Sequence, residues 1–308
     1  MRQVARIGLP SHVQEGGFDH AAVYAAKSRL YVAHTSNDSV DVVDLMGRRF
    51  SHSLGSLPGV AGVWVSEERG LLFTSNRGQD TASIFDLASE REIYRVPTGS
   101  RPNGMAFDTN RATLLVAGVG NRESAAPPTA TFISASDGKA VERIDLPGRT
   151  RWSLFHRPSD AFYVNIADPP RIAQIGASDL SRIGRMIEVP ASGPHGLDQD
   201  PDGRTLYCAC DDGWLVEVDL PTGMGHASSR LLGPPDVIWL NPRTGHLYVA
   251  IGDPGVVQVF ETHPLTPVGS IVTAAGAHTL TLDPANGEIH VFLPSTHEDL
   301  VLAEREPS

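Results

Sequence analysis

A chain of 308 residues with 41% hydrophobic and 20% charged residues has ordinary globular composition, which excludes wholesale disorder and a collagen-like repeat. Acidic residues number 36 against 25 basic ones, and a net charge of −11 repels phosphate backbones and anionic membranes, so neither nucleic acid nor membrane is an expected partner. No apolar run reaches the ~18 residues of a membrane span, and the N-terminal MRQVARIGLPSH lacks the apolar core of a signal peptide, so a cytoplasmic location is expected.

The first strand signal is RQVARIGL (residues 2–9), alone before a Gly-rich stretch. Seven similar units follow: FDHAAVYAAKSRLYVAH (18–34), VAGVWVSEERGLLFTSN (60–76), PNGMAFDTNRATLLVAG (102–118), RWSLFHRPSDAFYVNIA (151–167), PHGLDQDPDGRTLYCAC (194–210), PDVIWLNPRTGHLYVAI (235–251) and AHTLTLDPANGEIHVFL (277–293). Each holds two short apolar runs about a polar turn, and further alternating runs such as DSVDVVDL, TASIFDL and WLVEVDL come next. Alternation, β-branched residues and Gly/Pro/Asp turns mark strands rather than helices. Units of about 40 residues with four strands each are propeller blades. The expectation is an all-β, seven-bladed β-propeller forming a single domain over 1–308. The last unit ends after its third strand, so Arg2–Gly8 is expected to complete the blade of Ile289–Glu304 and remove a free sheet edge. A closed ring without free edges is expected to be a monomer.

Aligned on their inner turns, the units make His20, Ala61, Asn103, Trp152, His195, Asp236 and His278 equivalent. In a propeller these positions face one mouth of the central channel. Three of the twelve histidines fall in this register, and His195, Asp236, His278 and His20 belong to consecutive blades. Imidazole and carboxylate together suit first-row divalent ions. One reading is therefore a metal centre of His20, His195 and His278, with Asp236 as fourth ligand or base. Zinc fits best, and manganese, iron, nickel or calcium are alternatives. The other reading is a wet polar channel in which histidines bond to water and carbonyls.

Residues leaving the second strands form an outer ring: His34 and Asn37, Asn76 and Arg77, Asn165 and Asp168, Asp211 and Asp212, Asp253, and His297 with Glu298. His34 is a candidate general base beside Asp236. Arg77 and Arg151 are candidate carboxylate clamps, and Trp152 is an aromatic wall for a ligand or a plug for the channel. Asn76, Asn103, Asn165, Asp168 and Asp212 complete the expected substrate-binding set, although Asp and Asn also serve turns. Trp64, Trp214 and Trp239 are expected to pack between blades, and the remaining histidines to lie at the surface. Cys208 and Cys210, two apart in a strand, are expected to be free and buried.

The segments RPNGMAFD, GPHGLDQDPDGRTLY, DVIWLNPRTGHLYVA and AHTLTLDPANGEIHV resemble the repeat unit of the YVTN β-propellers, over nearly the whole chain. That group includes lactonases, and the related gluconolactonases and streptogramin lyases carry their sites at one channel mouth. The full acidic metal signature of the gluconolactonases is missing here; Asn103 is a partial echo. The resemblance implies a divalent-metal hydrolase of a small lactone or ester, a metal-dependent lyase of the streptogramin type, or a non-catalytic propeller that binds a small ligand or a protein.

Overall fold

The structure, a computed structural model, describes residues 1–304. It is a β-propeller of seven four-stranded antiparallel sheets. Six blades are built from consecutive strands, for example β2 (Phe18–Tyr24), β3 (Arg29–His34), β4 (Ser39–Asp44) and β5 (Arg49–Leu54). The seventh combines β26 (Leu280–Leu282), β27 (Ile289–Leu293) and β28 (Glu298–Ala303) with β1 (Arg2–Gly8) from the other end of the chain. β1 runs antiparallel to β28, from Arg2 opposite Ala303 to Gly8 opposite Glu298. No helix among the described residues is long and apolar enough to cross a membrane.

The middle strands of each blade are buried on both faces, so they are apolar almost throughout. Their apolar side chains fill the layers between neighbouring blades. The recurring second-strand tyrosines Tyr31, Tyr163, Tyr207 and Tyr248 are among the largest fully buried side chains. Their hydroxyls reach acceptors, Glu90 for Tyr31 (2.8 Å) and Asp200 for Tyr207 (2.9 Å), which lets a polar atom enter the apolar layer without penalty. The outermost strands are mostly exposed. Those of the first and fifth blades, RFSHSL (Arg49–Leu54) and MGHASSR (Met224–Arg230), carry little apolar pattern.

Six of the seven innermost strands share one irregularity, which β26 lacks. Their pairing slips between Phe18 and Ala21, Val60 and Val63, Pro102 and Met105, Thr150 and Ser153, Pro194 and Gly196, and Pro235 and Ile238. Each slip contains one residue of the ring register: His20, Ala61, Asn103, Trp152, His195 or Asp236. A bulge re-aims the side chain it carries. The glycine that follows the ring residue in PNG and PHG has a steric reason. A Cβ on Gly104 would strike the Arg151 carbonyl oxygen of the next blade, and one on Gly196 would strike that of Asp236.

Cys208 and Cys210 are free and fully buried, as expected. Trp214 packs against the apolar layer between blades and also lies under the Arg230 guanidinium, 4.0 Å from its ring centre. Several out-of-register histidines are not at the surface. His290 and His156 are about 1% exposed, and His290 Nδ1 lies 2.8 Å from buried Asp299.

Closure of the ring depends on Ile7, which is 2% exposed and packs with Phe18, Val32, Phe292 and Val301. Ile7→Ala is expected to cost about 2–4 kcal/mol in chemical denaturation. Arg6→Ala, which removes only the exposed ion pair to Glu298 (2.7 Å), should cost less than about 1 kcal/mol. Equal effects would mean that β1 contributes charge rather than packing.

Candidate functional site: an arginine-rich channel mouth

Six of the seven ring residues, His20, Asn103, Trp152, His195, Asp236 and His278, line one cavity of about 210 Å³. Ala61 is fully buried and outside it. Asp19, Arg77, Arg101, Arg149 and Arg151 complete the charged wall. The cavity lies below the roughly 300–1,000 Å³ usual for drug-sized ligands, so it suits a small molecule.

Asp236 is the hub. Its Oδ1 lies 3.0 Å from His195 Nε2 and its Oδ2 lies 2.8 Å from His278 Nδ1. Burial alone would raise its pKa, but the charge and hydrogen bonds of the two imidazoles hold it well below the usual carboxylate range. His195 also places Nδ1 2.7 Å from Asp211. Burial opposes its charge, yet Asp236 and Asp211 outweigh that and push its pKa up to about 9. His195 is thus an imidazolium at neutral pH, both N–H groups donating to carboxylates. Arg151 stands 3.2 Å from His195 Nε2 and 3.1 Å from Asp211, so two cations are held together by the acids between them.

His278 precedes its short strand, in a loop, and is the most open of the three histidines at 39% of its side chain, against 14% for His195 and 8% for His20. With Nδ1 on Asp236, its Nε2 is left for a ligand. The Asp236 hydrogen bond overcomes burial and raises the His278 pKa above 6.5. His20 goes the other way. It is buried against Trp152, with ring centres 4.3 Å apart, and burial lowers its pKa despite Asp19 and Asp236 nearby. Arg77 is bound to Asp19 (2.9 Å) and to the Asn103 side-chain oxygen (2.7 Å).

Arg101 and Arg149 differ from Arg77 and Arg151. Among the described residues neither guanidinium has a carboxylate within ion-pair distance. The Arg149 pKa is lowered by partial burial and by the neighbouring Arg151 and Arg101. Two unpaired, mutually repelling cations would each gain from an anion placed between them.

Several expected site residues lie elsewhere. His34 is fully buried between Asp41 (2.6 Å) and His12 (2.7 Å), away from the mouth, so it does not reach the cavity as a base. Asn76 is buried among Thr74, Thr81 and Ser83. Asn165 is a support: its amide donates to the carbonyl oxygens of His195 (2.9 Å) and Gly196 (3.2 Å) and so fixes the His195 strand. Asp168 is exposed outside the cavity, and Asp212 accepts from the Ser192 N–H in a turn (2.8 Å). The expected three-histidine metal centre is not assembled. His195 and His278 share Asp236, His195 also holds Asp211, and His20 lies 3.4 Å from Asp19; among the described residues no group of three or more His, Cys, Asp or Glu side chains is arranged to hold an ion. Asp19, Arg101 and Arg149 are the functional additions, and each sits one to three residues before a ring position. Asp211, of the outer ring, reaches His195 from the exit of the second strand of its blade.

No family model and no curated protein matches the chain. Among solved structures it is similar to Kuenenia stuttgartiensis hydrazine synthase, with a TM-score of 0.82 and 15% identity over 96% of this chain and 98% of that one. At that identity the likeness shows the fold alone.

The His195 environment sets a stability slope. Folding raises its pKa from 6.5 to about 9, so the stabilisation is complete below pH 6.5 and is lost as pH rises through about 9. Thermal unfolding from pH 6.5 to 9.5 should show a decline worth at most about 3 kcal/mol. In His195→Gln that decline should flatten. An unchanged slope in the variant would show that His195 is neutral in the fold.

Proposed function

We propose that this mouth is the active site of a general acid–base hydrolase acting on a small lactone or ester that carries a carboxylate. The observation that carries the reading is the Asp236–His278 pair: a half-buried carboxylate 2.8 Å from Nδ1 of the most open of the three histidines that line the cavity. A carboxylate on Nδ1 fixes the tautomer with a lone pair on Nε2 and stabilises the imidazolium that forms. Arg101 and Arg149 hold the substrate carboxylate as a paired cationic clamp. Water is deprotonated by His278 Nε2 as its oxygen attacks the carbonyl carbon. The ring or ester C–O bond then breaks, and His278 returns the proton to the departing oxygen. Arg151 and the imidazolium of His195 supply fixed positive charge near the oxyanion.

No step is routed through a metal, because ligation by His195 would cost one N–H proton of an imidazolium whose pKa is pushed up to about 9, together with its hydrogen bond to Asp236 or Asp211. A hydrolysis screen of small carboxylate-bearing lactones and esters, run with and without chelator, tests the reading. Activity should survive chelation. It should fall about 10²–10⁴-fold in His278→Gln and by a comparable factor in Asp236→Asn. The pH–rate profile should rise through an apparent pKa above 6.5 that moves down in Asp236→Asn, because the carboxylate raises it. Chelator-sensitive turnover, elimination without water uptake, or binding without turnover would each overturn it.

A further inference from the structure

The opposite end of the channel holds a second ring. Three residues after each ring position stand Val23, Trp64, Ala106, Phe155, Asp198, Trp239 and Thr281. Six of these seven, all but Ala106, line two adjoining cavities of about 380 and 620 Å³ that share Trp64, Asp198 and Trp239. The two mouths are separated by Trp152, which lines both the arginine-rich cavity and the smaller of these two.

Trp64 and Trp239 were expected to pack between blades. Each does so on one side, against the apolar layers, but both are only half-buried and turn the rest of their surface to the cavity, as does Phe155. Asp198 is the one ionisable member of the ring. Its carboxylate accepts from the backbone N–H groups of Leu240 (2.6 Å) and Gln199 (2.8 Å). That leaves about two of its four acceptor positions open. No cation lies within ion-pair distance of it among the described residues. The other charges around the rim are largely satisfied: Arg157 by Glu68 (3.4 Å), Asp200 by Tyr207 and His263, and Glu67 by the Ala25 N–H (2.5 Å).

We propose that this aromatic mouth is a second ligand site, for a small organic cation: a protonated amine on an apolar body. Indole faces attract a cation through their negative quadrupole. An unpaired, half-buried carboxylate beside aromatic rings gains most from a ligand that brings its own positive charge and N–H donors. The cavity volume suits a ligand with an aromatic or branched body. Burial holds the Asp198 carboxyl up at about 7, against the pull of its two backbone hydrogen bonds, so an ammonium ion would be needed to keep it fully ionised at neutral pH. The two mouths are thus complementary in charge, one for anions and one for cations. The inference does not depend on the hydrolase reading.

Phenethylammonium and its uncharged isostere 2-phenylethanol are the probes, followed by calorimetry and tryptophan fluorescence. Wild-type protein should bind the amine at least about tenfold more tightly than the alcohol. Asp198→Asn keeps an acceptor for the Leu240 N–H and should bring the two within about twofold. Trp239→Leu should weaken both by about fivefold. His278→Gln, at the other mouth, should leave amine binding unchanged. No saturable amine binding, equal binding of amine and alcohol by wild type, or loss of binding in His278→Gln would overturn the proposal. The wild-type contrast needs no variant, so a misfolded Asp198→Asn protein does not remove the test.

Discussion

Seven strands converge on one axis, and their backbones cannot remain regular where they meet. The bulge at the head of six of the seven innermost strands relieves that crowding. In five of these blades it also turns a side chain, His20, Asn103, Trp152, His195 or Asp236, into the mouth. Closure and chemistry therefore share one cause. The slip between Pro194 and Gly196 that lets a neighbouring carbonyl approach is the slip that presents His195. A Cβ at Gly196 would push away the Asp236 backbone, and with it the carboxylate on which both cavity-facing imidazoles depend. Asn165, reaching from the neighbouring blade to the His195 and Gly196 carbonyl oxygens, ties this contact to the blade-to-blade packing.

The fold was readable because the propeller writes its period into the chain. Paired strands about a polar turn, repeated seven times, leave few alternatives, and the ring register needed only the position of that turn. The outer strands Arg49–Leu54 and Met224–Arg230 were harder to see, since one face of an edge strand meets solvent and its composition is free to be polar. The site was legible in part. Register gave His20, Asn103, Trp152, His195, Asp236 and His278, all of which reach the cavity. Register says where a residue begins, not where its side chain ends. His34 leaves its strand at the expected place but turns inward to Asp41, and Asn76 turns to the hydroxyls of its own sheet. Arg101 and Arg149 went unnoticed because their long side chains return to the mouth from loop positions outside the register.

The same limit explains the histidines. Three imidazoles and a carboxylate in consecutive blades read equally as a ligand set or as an ion-pair network, and sequence does not separate the two. The decision lies with Asp211, which comes from the exit of a second strand and occupies His195 Nδ1. With Asp236 on Nε2, both nitrogens of His195 act as donors. The pair of acids makes it a fixed positive charge, while His278, with one carboxylate and an open second nitrogen, keeps the freedom to move a proton.

The chain's net charge conceals this organisation. At −11 the molecule is acidic as a whole, yet one mouth gathers four arginines about a cavity of about 210 Å³ and the other surrounds a carboxylate with indole rings. Separation of opposite fields within one channel needs a barrier of low polarity, or the two sets would neutralise each other through water. Trp152 is that barrier. It is 9% exposed, lies tilted against His20 toward the cationic mouth, and also lines the aromatic one. A large aromatic at this one ring position, where other blades place Ala, Asn, Asp or His, therefore does two things at once. It fills the wide axis of a seven-bladed ring, and it keeps the half-buried Asp236 carboxylate answering to His195 and His278 rather than to bulk solvent entering from below.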